Sequence, residues 1–126
     1  MSTIALRMVV TGFLFLVTVV FGVWLSNSGK PLNTLIFTIH KLTALAAVIF
    51  TVIVIHNLLK NVEVKIIILT LILVAGLSVL ALFISGVFLS LGKPVNNIVL
   101  TIHRIMTIMT VISTAVTIYL LAGRKQ

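Results

Sequence analysis

The chain has 126 residues, 61% hydrophobic and 8% charged, with a net charge of +8 and no cysteine. A soluble domain is about 25% charged and needs a polar exterior, so this composition excludes a water-exposed globule and assigns the chain to a bilayer. The missing cysteines exclude disulfides, thiolate metal sites and iron–sulfur clusters.

A spanning helix needs about 20 mostly apolar residues, and four such runs follow one another at 4–26, 33–59, 64–90 and 95–122. They leave no length for a soluble catalytic domain. The predicted fold is an all-α membrane protein, a four-helix transmembrane bundle of one domain over 1–126. It is built from two tandem helical-hairpin repeats, 4–60 and 64–122.

In the first run Arg7 precedes an apolar stretch, as in a signal peptide. "VWLSNSGK" at its end lacks a small-x-small cleavage site, and residues 76–92 echo that end, so the run is read as a working helix. It carries Gly12, Gly22 and Trp24, the last an interfacial anchor. The second run opens with "KPLNTLIFTIHK", which places His40 and Lys41 inside apolar sequence and ends at His56 and Lys60. The third run holds Gly76, Gly86 and Phe88. The fourth opens with "KPVNNIVLTIHR", with His103 and Arg104 where the second has His40 and Lys41.

The two halves align as repeats. At an offset of 63 residues, Gly29-Lys30-Pro31 meets Gly92-Lys93-Pro94, Asn33 meets Asn96, His40 meets His103 and Thr51 meets Thr114. At an offset of 64, Gly12 meets Gly76 and Gly22 meets Gly86. Gly followed by Lys-Pro ends one helix and starts the next, so each half is an antiparallel hairpin. Each copy contains two spans, so both enter the membrane the same way, and the pseudo-two-fold axis runs along the membrane normal. His40 and His103 are therefore expected at one depth, facing each other across that axis.

Arg7, Lys60, Lys65, Arg124 and Lys125 fall on one side of the spans and Lys30 and Lys93 on the other. The positive-inside rule puts both termini and the middle turn in the cytoplasm, and the expected location is the inner membrane of a bacterium or archaeon. Cations at helix ends meet lipid headgroups, with no basic stripe or aromatic platform for nucleic acid. Glu63, the only acid, is read as part of a solvated turn.

Positions 33, 40, 44, 47 and 51 share one helical stripe and read Asn, His, Ala, Ala, Thr; the second copy reads Asn96, His103, Thr107, Thr110, Thr114. Small and polar residues belong at helix contacts in lipid, so both stripes are predicted to line the interior. A histidine there marks a functional site by default, and four uses compete. One is bis-His haem ligation. In that use Ala44, Ala47, Thr107 and Thr110 leave room for a flat macrocycle, and Gly12, Gly22, Gly76 and Gly86 let its edges approach. Lys41 and Arg104 then neutralise propionates. The second use is a bare zinc or copper ion, for which two imidazoles are a thin ligand set. The third is transport through a small carrier or channel, and the fourth is structural bonding to neighbouring helices.

His56 stands sixteen residues after His40, about 160° around a helix of 3.6 residues per turn, so it cannot share that face. It is read as an interfacial anchor like its counterpart Tyr119, with a second haem site at His56, partnered by Met8, as an alternative. Met106 and Met109 are read as packing.

"IHKLTALAAVIFTVIVI", with "IHRIMTIMTVISTAVTI" as a second copy, resembles the haem-ligating helix of small four-helix membrane b-type cytochromes. The resemblance covers the second and fourth spans. It implies haem b as cofactor, His40 and His103 as axial ligands, and Lys41 and Arg104 as propionate partners. It also implies electron transfer involving quinol or a redox partner protein. Members commonly place a second histidine about 13–14 residues along the same helix, on the same face; His56 does not fit that spacing, so a single haem is expected. No catalytic residue is assigned. The alternatives are a non-catalytic membrane scaffold or subunit-interaction module with structural histidines, and a small transporter or channel, which a homo-oligomer would suit.

Overall fold

The computed structural model describes residues 3–28, 34–60, 62–91 and 97–124. Four helices account for nearly all of them: α1 (Thr3–Ser28), α2 (Thr34–Leu59), α3 (Ile66–Ser90) and α4 (Asn97–Arg124). Each is long and apolar enough to cross a membrane; at 1.5 Å per residue, 25 residues reach about 38 Å, beyond a hydrocarbon core of about 30 Å. The chain is an integral membrane protein of the all-α class. The bounds fall within two residues of the four apolar runs. The connections at Gly29-Lys30-Pro31 and Gly92-Lys93-Pro94, with Asn33, Asn96 and Lys125, lie outside the described residues.

The distribution of side chains inverts that of a soluble protein. Large apolar side chains face outward along every helix, among them Phe13, Leu35, Leu42, Ile66 and Ile108. The buried set is dominated by small and hydroxyl residues: Thr11, Ala47, Ala75, Ser78, Ser85, Thr110, Ser113, Thr114 and Thr117. Lipid tails are as apolar as leucine, so helices gain nothing by hiding leucine from them. Close backbone approach over small residues gives the packing energy instead.

The chain divides into two compact units, 1–57 and 58–126. In the first, α1 turns Thr11 and Leu25 inward, with Leu14 and Thr18 half-buried between them. The stripe on α2 runs His40, Ala44, Ala47, Thr51 and Val54 in alternating steps of four and three. Ala47 and Val54 are fully covered. In the second unit α3 packs along α4. Its buried residues are Ile68, Ala75, Ser78 and Ser85, and the α4 stripe is His103, Thr107, Thr110, Thr114, Thr117 and Leu121. Steps of four and three average 3.5 residues, the repeat that keeps one seam facing a partner helix.

Hydroxyls inside these helices are satisfied locally. Thr11 donates to the Arg7 carbonyl at 2.7 Å, Thr51 to Ala47 at 2.7 Å and Thr110 to Met106 at 2.7 Å. Bonding back one turn lets a helix carry Ser and Thr through lipid without orphaned donors. After α2, Val62 N–H reaches Leu59 O at 3.4 Å, and α3 starts after Lys65, whose backbone is extended and whose carbonyl accepts from Ile68 and Leu69.

Candidate functional site

His40 and His103 are each the seventh residue of their helix. Each ring, half-buried, turns onto the preceding helix of its own unit. His40 Nδ1 lies 2.9 Å from the Thr18 carbonyl oxygen of α1. A carbonyl only accepts, so this nitrogen carries the proton and Nε2 is the basic nitrogen of the ring. The same ring lies over Gly22: a Cβ built there would be 2.9 Å from His40 Cε1. That is closer than van der Waals contact allows, so only glycine admits the imidazole in this position.

His103 meets α3 differently. Its Nδ1 lies 2.7 Å from the Ser85 hydroxyl, and Ser85 Oγ is also 2.8 Å from the Ala81 carbonyl and 3.2 Å from that of Leu82. A Cβ at Gly86 would stand 3.6 Å from His103 Cε1, an ordinary contact. Gly22 and Gly86 thus receive the imidazoles of their own units. Gly12 and Gly76 sit on exposed faces with open space beside them.

Ala44 and Ala47 follow His40 down its stripe, and Thr107 and Thr110 follow His103. Thr107 donates to the His103 carbonyl at 2.8 Å, so its hydroxyl is bonded within α4. Lys41 is exposed, and its Nζ lies 4.7 Å from the centre of the Phe37 ring, one turn nearer the helix N-terminus. The ammonium therefore leans toward the membrane face at which α2 begins, as a snorkelling lysine does. Arg104 is exposed at the corresponding place on α4. His56 and Tyr119 are both exposed near the other ends of α2 and α4, and Trp24 stacks on Phe21 at 6.0 Å. Among the described residues, no three metal-ligating side chains come together.

No protein family, curated protein or solved structure matches this chain.

The donor set suits a metal-bound imidazole. A ligating histidine is ordinarily held by its other ring nitrogen against a carbonyl, carboxylate or hydroxyl, which fixes the tautomer and ring angle. Both rings have such a partner on Nδ1. Two contributors to the site escape the stripe reading: the Thr18 carbonyl and Ser85. The first leaves no trace in sequence, because any residue supplies a carbonyl. The second does leave one. At the 64-residue offset Ser85 replaces Phe21, and a serine in place of a phenylalanine in an otherwise apolar span marks a polar neighbour.

Proposed function

We propose that this chain is an integral-membrane b-type haem protein for electron transfer, with His40 and His103 as the axial ligands. The supporting observation is that His40 and His103 each commit Nδ1 to the neighbouring helix, the hold that a metal-ligating imidazole ordinarily has on its other ring nitrogen. Haem held by two imidazoles would supply one-electron transfer. His40 and His103 hold the group, while Ala44 and Ala47 keep the stripe beside His40 narrow. Lys41 and Arg104, one residue past each ligand, offer positive charge to its acidic edge. The chain takes quinol or a redox protein as its exchange partner, with both termini and the turn at 60–65 on the cytoplasmic side of a bacterial or archaeal inner membrane.

One observation favours a second reading. The Gly22–His40 contact is tight enough to join α1 and α2 without any ligand, as in a membrane module whose histidines clasp each hairpin. A transport path has less support, because the α4 hydroxyls at Thr107, Thr110, Ser113 and Thr117 donate to carbonyls of their own helix.

An absorption spectrum separates these readings. Protein purified in mild detergent from cells supplied with excess haem precursor is expected to be red, with a sharp Soret band. The band should disappear in His40→Ala and in His103→Ala and persist in His56→Ala. Colourless protein with normal yield and helicity would overturn the haem reading in favour of the clasp.

A further inference from the structure

We infer that Ser85 is a positioning residue that fixes the tautomer and tilt of His103 by accepting a hydrogen bond from its Nδ1–H. A serine hydroxyl has one proton and two lone pairs. Ser85 Oγ has three polar neighbours: the carbonyls of Ala81 at 2.8 Å and Leu82 at 3.2 Å, and His103 Nδ1 at 2.7 Å. The two carbonyls can only accept, so the hydroxyl proton points back into α3 and a lone pair faces the imidazole. His103 must then hold its proton on Nδ1 and leave Nε2 basic. The opposite arrangement would turn the Ser85 proton toward Nδ1 and deprive the Ala81 carbonyl of its second donor. Ser85 is buried at 5% exposure, and within a membrane span no water stands ready to replace that bond.

The first unit provides an internal reference. His40 reaches the same tautomer through a backbone carbonyl, which no side-chain substitution removes. His103 depends on one replaceable hydroxyl, with looser packing over Gly86 to restrain its ring. The two imidazoles therefore share a protonation pattern but differ in how firmly it is held. The tautomer stands whether or not a ligand is bound; its use in presenting Nε2 to iron rests on the haem reading.

The test uses the full chain labelled with ¹⁵N at histidine, in lipid nanodiscs at about pH 8, where an ordinary imidazole is neutral. Imidazole ¹⁵N shifts distinguish a protonated ring nitrogen from an unprotonated one. The native protein is expected to show Nδ1–H and unprotonated Nε2 at both His40 and His103. Ser85→Ala should shift the His103 tautomer ratio roughly tenfold toward Nε2–H, the scale of one hydrogen bond, and leave His40 unchanged. Ser85→Thr, which keeps the hydroxyl, should restore the native ratio; it also serves as the reference if the alanine variant folds poorly. Native protein with His103 as Nε2–H would overturn the inference, as would a His103 signal that ignores Ser85→Ala. In haem-loaded protein the same substitution should shift the reduction potential while the Soret band remains. Colourless protein with the expected tautomers would overturn the haem reading and leave this inference intact.

Discussion

The two hairpins place a histidine at the seventh position of their second helix but secure it by different means. In residues 1–57 the imidazole presses over Gly22 and bonds a backbone carbonyl. In residues 58–126 it has ordinary clearance over Gly86 and bonds a side chain. The seams differ in the same sense. The α2 stripe reads Ala44, Ala47, Val54, whereas the matching α4 positions read Thr107, Thr110, Thr117. Thr51 and Thr114 match, but at these three positions the first hairpin has small or apolar side chains where the second has hydroxyls. Small residues let the helices approach closely, and the α4 hydroxyls enter that contact already bonded to carbonyls of their own helix.

The largest test of this contrast is overpacking the apolar seam. Ala47 is 1% exposed, so Ala47→Leu forces three further carbons into a filled site. The expected cost is about 1–3 kcal/mol, read as a lower midpoint in reversible unfolding from mixed micelles. Thr110→Leu, which adds far less volume, should cost less. Equal losses would show that the two seams are packed alike.

Next in size is the glycine pair. Gly22→Ala places a methyl 2.9 Å from His40 Cε1, so the ring must shift and strain its bond to the Thr18 carbonyl. Straining that bond and the packing around it should outweigh the helix-propensity gain of about 1 kcal/mol for Gly→Ala, for a net loss on the order of 1 kcal/mol. Gly86→Ala meets His103 at ordinary contact distance and should be neutral or stabilising by up to about 1 kcal/mol. Paired unfolding curves check both, and a Gly86→Ala loss as large as that at Gly22 would break the proposed asymmetry.

How much of this was legible in the sequence follows from what each feature depends on. The four spans and their ends were legible because hydropathy and length are properties of the chain itself. The recurrence of His, Ala and Thr at steps of four and three among bulky aliphatics was legible, and of those positions Ala47, Thr110 and Thr114 are buried. Gly12, Gly22, Gly76 and Gly86 were read as places where a macrocycle edge could approach, and an imidazole of the same unit lies beside Gly22 and Gly86. What approaches a glycine depends on how neighbouring helices are rotated, and no residue pattern carries that. Gly12 and Gly76 match each other equally well in sequence yet lie on exposed faces, so correspondence between copies does not by itself select the seam. The Thr18 carbonyl was invisible for the same reason that it is dependable: the backbone supplies it whatever the side chain.

The smallest effect is expected at the bottom of the hydroxyl seam. Thr117 has no exposed surface, and its Oγ donates to the Ser113 carbonyl of its own helix at 2.6 Å. The first hairpin has Val54 at the matching position, equally covered. Valine is nearly isosteric with threonine. Removing this hydroxyl strands no partner, because the Ser113 carbonyl keeps its helical N–H donor. Thr117→Val should therefore change stability by no more than about 0.6 kcal/mol, the average for a polar contact inside a membrane protein. It should also leave any Soret band in place. The reciprocal Val54→Thr should be tolerated as well, since a new hydroxyl there can bond back one turn in its own helix. A loss of several kcal/mol at Thr117 would mean that its hydroxyl serves something other than its own helix, and the second hairpin would then be a polar conduit rather than a hydroxylated version of the first.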